Sequence, residues 1–404
     1  MKDAAPNMDF KRADRIANIT FSQIAQISEA AAQMRAQGQD VLALATGEPD
    51  FATPAHVCDA ATAAMAAGQT RYTPTAGTPA LRDAVAERAG VDRDNVLIST
   101  GAKQVLSNLF LASLDPGDEV ICPTPCWTSY PDIIRFAGGV VREICCGADQ
   151  GYKITAAQLE AAITPRTRWV LLNSPSNPTG AMYSQSEIQA LGAVLRRHPH
   201  VWIASDEIYQ HIAYATFTSV RDALPDLVGR TVVINGVSKA YSMTGWRIGW
   251  AVGPQAAILA MRDVQGQSTS GACSIAQAAA CAALLGNQAL LAERAAIFRN
   301  RRDRVVSAIN ATPLLSCTVP DGAFYVFASC QATLGRVTPT GDRIETDVDF
   351  CRFVLADQGL ALVPGSAFSL QDHFRLSYAC SDADLTDGMA RLRRATEKLI
   401  PPAA

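Results

Sequence analysis

Seven short runs of apolar and β-branched residues recur between Asn95 and Val252, separated by stretches of helical period, and this alternation restricts the fold more than any other feature. The runs are Asn95–Ser99, Glu119–Cys122, Val140–Ile144, Trp169–Leu172, Val201–Ser205, Thr231–Ile234 and Ile248–Val252. Such a pattern predicts an α/β fold with a mostly parallel sheet covered by helices on both faces. Between the first two runs, Lys103–Leu114 carries Leu106, Leu109, Phe110 and Leu114 at helical spacing, and it stops at the turn Asp115-Pro116-Gly117-Asp118.

The flanks read differently. Residues from Ile19 to about Gly38 look like one helix, and Pro49 and Pro54 punctuate the passage into the alternating block. After the block, one long helical stretch is expected from about Ile275 to Ala308. An α+β region follows, with strands near Ala323–Phe327, Ala361–Val363 and His373–Ser377. The expected division is an N-terminal segment, 1–53, that joins the small domain; a large domain, 54–300; and a small C-terminal domain, 301–404. A chain of 404 residues, 49% hydrophobic, is long enough for both.

A formal net charge of −3 gives no electrostatic reason to expect nucleic acid or an anionic membrane as a partner. Small molecules are the expected ligands. The 11 cysteines follow no disulfide-scaffold spacing and sit mostly in apolar runs, so they read as buried, reduced thiols. The first residues lack the apolar core of a signal peptide and no run of eighteen apolar residues occurs, which points to the cytoplasm. The five histidines form no HxxxH or HExxH pair and there is no CxxC, so no metal is expected.

Ligands of an open α/β sheet sit beyond the carboxyl ends of its strands, which directs attention to the polar residues there. Residues 236–249, GVSKAYSMTGWRIG, set Lys239 among small and hydroxyl residues with Arg247 eight positions on. A lysine that forms an imine with an aldehyde must be partly desolvated, and a phosphate dianion needs a fixed guanidinium fork. The turn Gly101-Ala102-Lys103 opens a helix, where backbone N–H groups and the helix dipole suit a phosphate. The loop NSPSNPTG, 173–180, aims the Asn177 amide between two X-Pro steps, and Asp206 and Tyr209 are one helical turn apart. Each feature alone is equally the mark of an ordinary turn or cap. Together they supply what pyridoxal phosphate requires: a carboxylate for the ring nitrogen (Asp206), and a phenol and an amide for the ring 3-oxygen (Tyr209, Asn177). No Gly-x-Gly and no GxxxxGK[ST] is present, so dinucleotide and nucleoside-triphosphate fingerprints are absent.

The strings NSPSNPTG, SDEIY, GVSKAYSMTGWRIGW and FRLSY, in this order, resemble those of the fold-type I class I/II aminotransferases, from about Phe10 to the last helix. ATGEPDF, RYTPTAG, LDPGDEV, HPHVW and QGQSTSGACSIAQ make the chain similar, within that family, to bacterial aspartate and prephenate aminotransferases. The resemblance implies a pyridoxal 5′-phosphate enzyme in which Lys239 carries the cofactor and shuttles the substrate's α-proton. It implies that Asp206, Tyr209 and Asn177 take the ring roles above, that Trp127 stacks on the ring, and that Arg375 grips the substrate α-carboxylate with Gly47 as a backbone contact. Arg247, Ser238 and Gly101-Ala102-Lys103 would form the phosphate cup. Tyr72 would reach the phosphate of a neighbouring subunit, making the active unit a homodimer with shared sites.

The expected reaction is ping-pong transfer of an amino group from an L-amino acid, L-aspartate first, to a 2-oxo acid, 2-oxoglutarate first. The alternatives are another donor (prephenate-linked or glutamate, aromatic or basic) or a lyase using the same cofactor. Two departures from the family pattern stand out. Gly236 occupies a position where relatives often have serine, and the stretch from Arg15 to Phe21, where acidic-substrate relatives tend to carry a basic residue for the distal carboxylate, offers Arg15 but no lysine.

Overall fold

The computed structural model describes Ala13, Ile16, Ile19 and residues 23–401. Its centre is a seven-stranded sheet whose spatial order is Val96–Ser99, Gly249–Val252, Thr231–Gly236, Trp202–Asp206, Thr167–Asn173, Glu119–Thr124 and Val140–Cys145. All neighbours are parallel except Gly249–Val252, which runs antiparallel to both of its partners. All seven expected strands are present, most within two residues of the expected bounds. The α/β fold with a mostly parallel sheet is therefore the observed one.

Alternation along the central strands distributes side chains to two cores. Val232 and Ile234 pack with Val105, Leu106, Leu109 and Phe110 of the helix Ala102–Leu111, while Val233 faces the opposite way into a cluster with Leu81, Val85 and Ala280. With both faces covered, Thr231–Gly236 is buried at every position; its polar members are satisfied, the Thr231 hydroxyl donating to Leu227 O at 2.9 Å and Asn235 Oδ1 accepting from the Gly236 N–H at 2.7 Å. The turn after Ala102–Leu111 closes with the Asp118 N–H donating to Asp115 O at 3.0 Å.

A second, four-stranded antiparallel sheet runs Val363–Pro364, His373–Ser377, Tyr325–Ser329, Ser316–Cys317. The N-terminal strand Leu42–Ala43 pairs in parallel with Leu360–Ala361, and the Ser377 N–H donates to Leu44 O at 2.8 Å. Leu44 accordingly lies in the same core as Phe350, Phe374 and Leu376. The chain before residue 50 is thus sewn to the chain after residue 310.

Three expectations need correction. The first helix spans Gln23–Ala36 rather than starting at Ile19. The stretch expected as one helix from Ile275 to Ala308 is two, Ser274–Leu285 and Ala289–Asn310, bent by 85°. The break falls at Gly286, where a Cβ would meet His56 Nε2 at 2.7 Å and Ala282 O at 2.8 Å, so the chain turns where only glycine fits. Among the described residues no single helix is long and apolar enough to cross a membrane. The cysteines are all free, but Cys58, Cys145 and Cys273 are exposed and Cys281, Cys317 and Cys380 only half-buried. Cys145 ends an edge strand with solvent on one side, which an apolar neighbourhood in sequence does not reveal.

The antiparallel strand Gly249–Val252 lies against the start of the helix Ala102–Leu111: a Cβ at Gly249 would overlap the Ala102 amide and come to 2.7 Å from the Gly101 carbonyl carbon. Gly249→Ala is therefore expected to destabilise the protein by about 1–3 kcal/mol through overpacking, read as a lower urea midpoint. Gly229→Ala, where nothing lies within 4 Å of the added carbon, is expected to leave the midpoint in place. Equal midpoints for the two variants would contradict this packing.

Candidate active site

Register brings the polar strand ends level. Asn173 stands opposite Asp206, and Asp206 opposite Ile234, so Asn173, Asp206 and the Gly236 turn share one edge of the sheet. Above that edge lies a cavity of about 280 Å³. Its lining includes Gly47, Ala102, Lys103, Trp127, Asn177, Asp206, Tyr209, Ser238, Lys239, Arg247 and Arg375, which were expected, and Tyr130, Asn173, Ile208, Thr244 and Tyr325, which were not assigned a role. Gly101 heads the helix immediately behind Arg247, and a Cβ there would overlap the guanidinium. Tyr72 is elsewhere, 98% exposed on the surface. Arg15 lies outside the described residues.

Lys239 follows the buried strand Thr231–Gly236 and projects into the cavity, where its Nζ donates to Gly47 O at 2.7 Å. Burial lowers its pKa to about 8; the Glu48 charge opposes this, and the Arg375 and Arg247 charges add to it. Near neutral pH a useful fraction of this amine is uncharged, whereas an ordinary lysine has almost none. Asp206 is buried, its Oδ2 accepting from the Tyr130 hydroxyl at 2.7 Å and its Oδ1 from the Ile208 N–H at 3.1 Å. Burial raises its pKa to about 6, and these two hydrogen bonds and the Lys239 charge limit the rise. At pH 7 it is mostly a carboxylate.

A chain of hydrogen bonds ties the two sheets together across the cavity. Asn173 Nδ2 donates to Asp206 O at 2.9 Å, Asn177 N–H to Asn173 Oδ1 at 2.9 Å, and Arg375 Nη1 to Asn177 Oδ1 at 2.9 Å. Arg375 Nη2 donates to Ala45 O at 2.6 Å. Its guanidinium lies 4.5 Å from the Tyr325 ring centre and 5.0 Å from that of Phe368. Arg375 is 1% exposed, and its Nε has no hydrogen-bond partner among the described residues. Amide and carbonyl oxygens and ring faces answer its charge, with no carboxylate beside it. An unpaired buried charge costs several kcal/mol, so the arrangement invites an anion.

The end of the cavity at Arg247 and Lys103 is cationic and strained. Arg247 holds φ at 57°, a left-handed conformation that costs a bulky residue roughly 1–2 kcal/mol. Its Nη1 donates to Thr244 O at 2.8 Å. Lys103, its pKa lowered by burial and then by the Arg247 charge, places Nζ 4.8 Å from the Trp127 ring centre. Gly236 is explained by packing: a Cβ there would meet Ile248 O at 2.8 Å and Gly249 Cα at 3.0 Å, so this backbone excludes a serine hydroxyl.

Tyr130 was readable in principle, since it falls three residues after Trp127 in PTPCWTSYP and helical spacing puts the two on one face; their rings meet edge-on at 5.4 Å. Tyr325 carried no such signal. A larger cavity, about 400 Å³, opens elsewhere beside Glu207, His211 and Arg88, but none of the expected site residues lines it. The expected site residues gather in the smaller cavity. Among the described residues, no three His, Cys, Asp or Glu side chains gather to hold a metal.

Comparison with known proteins gives the family. The family described as aminotransferase class I and II matches residues 39–392. An aspartate aminotransferase of Rhizobium meliloti strain 1021 is 52% identical over 398 residues, covering 96% of this chain and 97% of that protein. An aspartate/prephenate aminotransferase of Cereibacter sphaeroides is 46% identical over 390 residues, covering 94% and 97%. The crystal structure of an aspartate aminotransferase from Rhizobium meliloti superposes with a TM-score of 0.94 at 51% identity, covering 96% of this chain and 100% of that one. The chain belongs to the class I and II aminotransferases.

Proposed function

We propose that this enzyme transfers the amino group of L-aspartate to 2-oxoglutarate in two half-reactions of a ping-pong cycle, with pyridoxal 5′-phosphate held at Lys239. The observation that carries the reading is a buried guanidinium without a carboxylate, Arg375, in one cavity with a desolvated lysine and a buried carboxylate. The cavity suits the cofactor on its own evidence: a helix start and a guanidinium packed where a Cβ at Gly101 would overlap it suit a phosphate, and Asp206 suits a ring nitrogen. When bound, pyridoxal phosphate supplies an electron sink that makes the substrate α-proton removable.

The protein's own groups then divide the work. Arg247, Ser238 and the Gly101-Ala102-Lys103 turn would hold the phosphate, and Trp127 would pack against the ring. Asp206, kept ionised by its two donors, holds a proton on the ring nitrogen. Arg375 and Asn177 would fix the α-carboxylate, with the Gly47 backbone beside them, and Lys239 Nζ, released when the substrate amine takes its place on the cofactor, would be the free amine that removes the α-proton. L-Aspartate is the proposed donor because the relative 52% identical to this chain is named an aspartate aminotransferase.

The wider setting belongs to the same proposal. The lobes divide near residues 53 and 300, the enzyme works as a homodimer in which the exposed Tyr72 serves the partner's phosphate, and it resides in the cytoplasm, where its free thiols stay reduced.

Three outcomes are expected. Lys239→Ala keeps cofactor affinity through the remaining groups, measured by equilibrium dialysis, but loses turnover by at least about four orders of magnitude; near-normal turnover would exclude Lys239. Because the neutral amine is the nucleophile, the rate at which apoenzyme captures pyridoxal phosphate should rise with pH and level off above about 8. A rise continuing to the ordinary lysine range would show that the amine is not desolvated. In single-turnover comparison of donors, aspartate should exceed neutral and basic amino acids. A neutral or basic donor that won by a wide margin would refute the substrate while leaving amino transfer standing.

A further inference from the structure

Tyr325 lines the cavity at the junction of the two sheets yet has no part in the chemistry above. It begins the strand Tyr325–Ser329, which pairs with the strand of Arg375, Phe327 lying opposite Arg375. Several contacts converge on it. Its hydroxyl is 2.9 Å from the Tyr209 hydroxyl, and the two rings meet edge-on at 5.9 Å. Its ring face lies 4.5 Å from the Arg375 guanidinium. Its hydroxyl also abuts Gly47, where a Cβ would come within 2.5 Å of the oxygen. One side chain therefore touches the carboxylate-binding arginine, the backbone beside the substrate, and the phenol facing the cofactor.

Two hydroxyls in contact share one hydrogen bond, and its direction decides what each has left to give. Tyr209 has a single proton. If Tyr209 donates to Tyr325, nothing remains for the cofactor oxygen; if Tyr325 donates to Tyr209, the Tyr209 proton is free to point into the cavity. Chemistry favours the second. The Arg375 guanidinium lies over the Tyr325 ring, 4.5 Å from its centre, and polarises that phenol directly. Both phenols are buried and pushed up, and the Arg375 charge works against the rise at both, but their mutual contact works against it at Tyr325 and adds to it at Tyr209. The better acid is the better donor, and a chain of hydroxyls so oriented strengthens its last bond.

Building on the amino-transfer reading above, we propose that Tyr325 is a positioning residue: its hydroxyl donates to Tyr209 and so commits the Tyr209 proton to the cofactor's ring oxygen, while its ring holds Arg375 flat for the substrate carboxylate. Tyr325 acts through Tyr209 and Arg375 and touches no reacting atom.

The test is a pH titration of the visible absorption of bound pyridoxal phosphate in the loaded enzyme, for the unmodified protein, Tyr325→Phe, Tyr209→Phe and the double variant. A hydrogen bond to the ring oxygen lowers the proton affinity of the attached nitrogen, so losing it raises the midpoint. Tyr325→Phe should move the midpoint up by about half a pH unit or more, Tyr209→Phe at least as far, and the double variant no further than Tyr209→Phe alone. Tyr325→Phe keeps the ring and should leave KM for the amino donor nearly unchanged, whereas Tyr325→Leu should raise it about tenfold. An unmoved midpoint in Tyr325→Phe, or shifts that add in the double variant, would overturn the link through Tyr209. Equal KM values for Phe and Leu would overturn the part given to the ring. An unmodified enzyme that bound no pyridoxal phosphate would instead bring down the amino-transfer reading and this role with it.

Discussion

Desolvation of one amine governs this cavity. Lys239 is carried in by a strand buried at every position, and among the described residues its Nζ has one hydrogen-bond partner, the backbone carbonyl Gly47 O. Were a carboxylate bonded to it, the ammonium would be stabilised and its proton held. With Asp206 engaged by Tyr130 and Ile208, and Glu48 bonded by the Thr244 hydroxyl, the nearest acids are occupied by other donors. The amine is thereby left within reach of losing its proton near physiological pH.

The other requirement is that two separately built sheets present their groups to one point. The seven-stranded sheet supplies Asn173, Asp206 and the Lys239 turn; the four-stranded sheet supplies Arg375 and Tyr325; and the segment paired with its neighbourhood supplies Ala45 and Gly47. The contacts from Asp206 through Asn173 and Asn177 to Arg375 are hydrogen bonds between neighbours, so a shift of either sheet is felt at the other. That coupling runs through the loop 173–180, which is closed on itself by the Ser176 N–H donating to Ala181 O at 2.9 Å and the Gly180 N–H to Ser176 O at 2.8 Å. It also gives a reason for glycine at 101, 236 and 249, where backbone and guanidinium meet too closely for a side chain.

Much of this was legible in the residues alone. Short runs of apolar and β-branched residues located all seven strands; in the central ones helices cover both faces, which leaves little alternative composition. Polar residues at the strand ends located Asn177, Asp206 and Lys239, because the sheet leaves its ligand nowhere else. What escaped depends on contacts between distant segments. The break at Gly286 is set by His56, more than two hundred residues away in sequence. Tyr325 reads as one more aromatic in a core strand, and only the approach of Arg375 and Tyr209 distinguishes it from Phe324 or Phe327. Cys145 looked apolar in context, and only its place on the edge strand exposes it.

Attachment of the cofactor at position 239 underlies every role assigned to the other residues, and it is open to direct chemical observation. Borohydride reduction of the pyridoxal phosphate-loaded enzyme, followed by proteolysis and mass mapping, should place one pyridoxyl group per chain on the peptide containing Lys239. A label on another lysine, or none, would contradict the account.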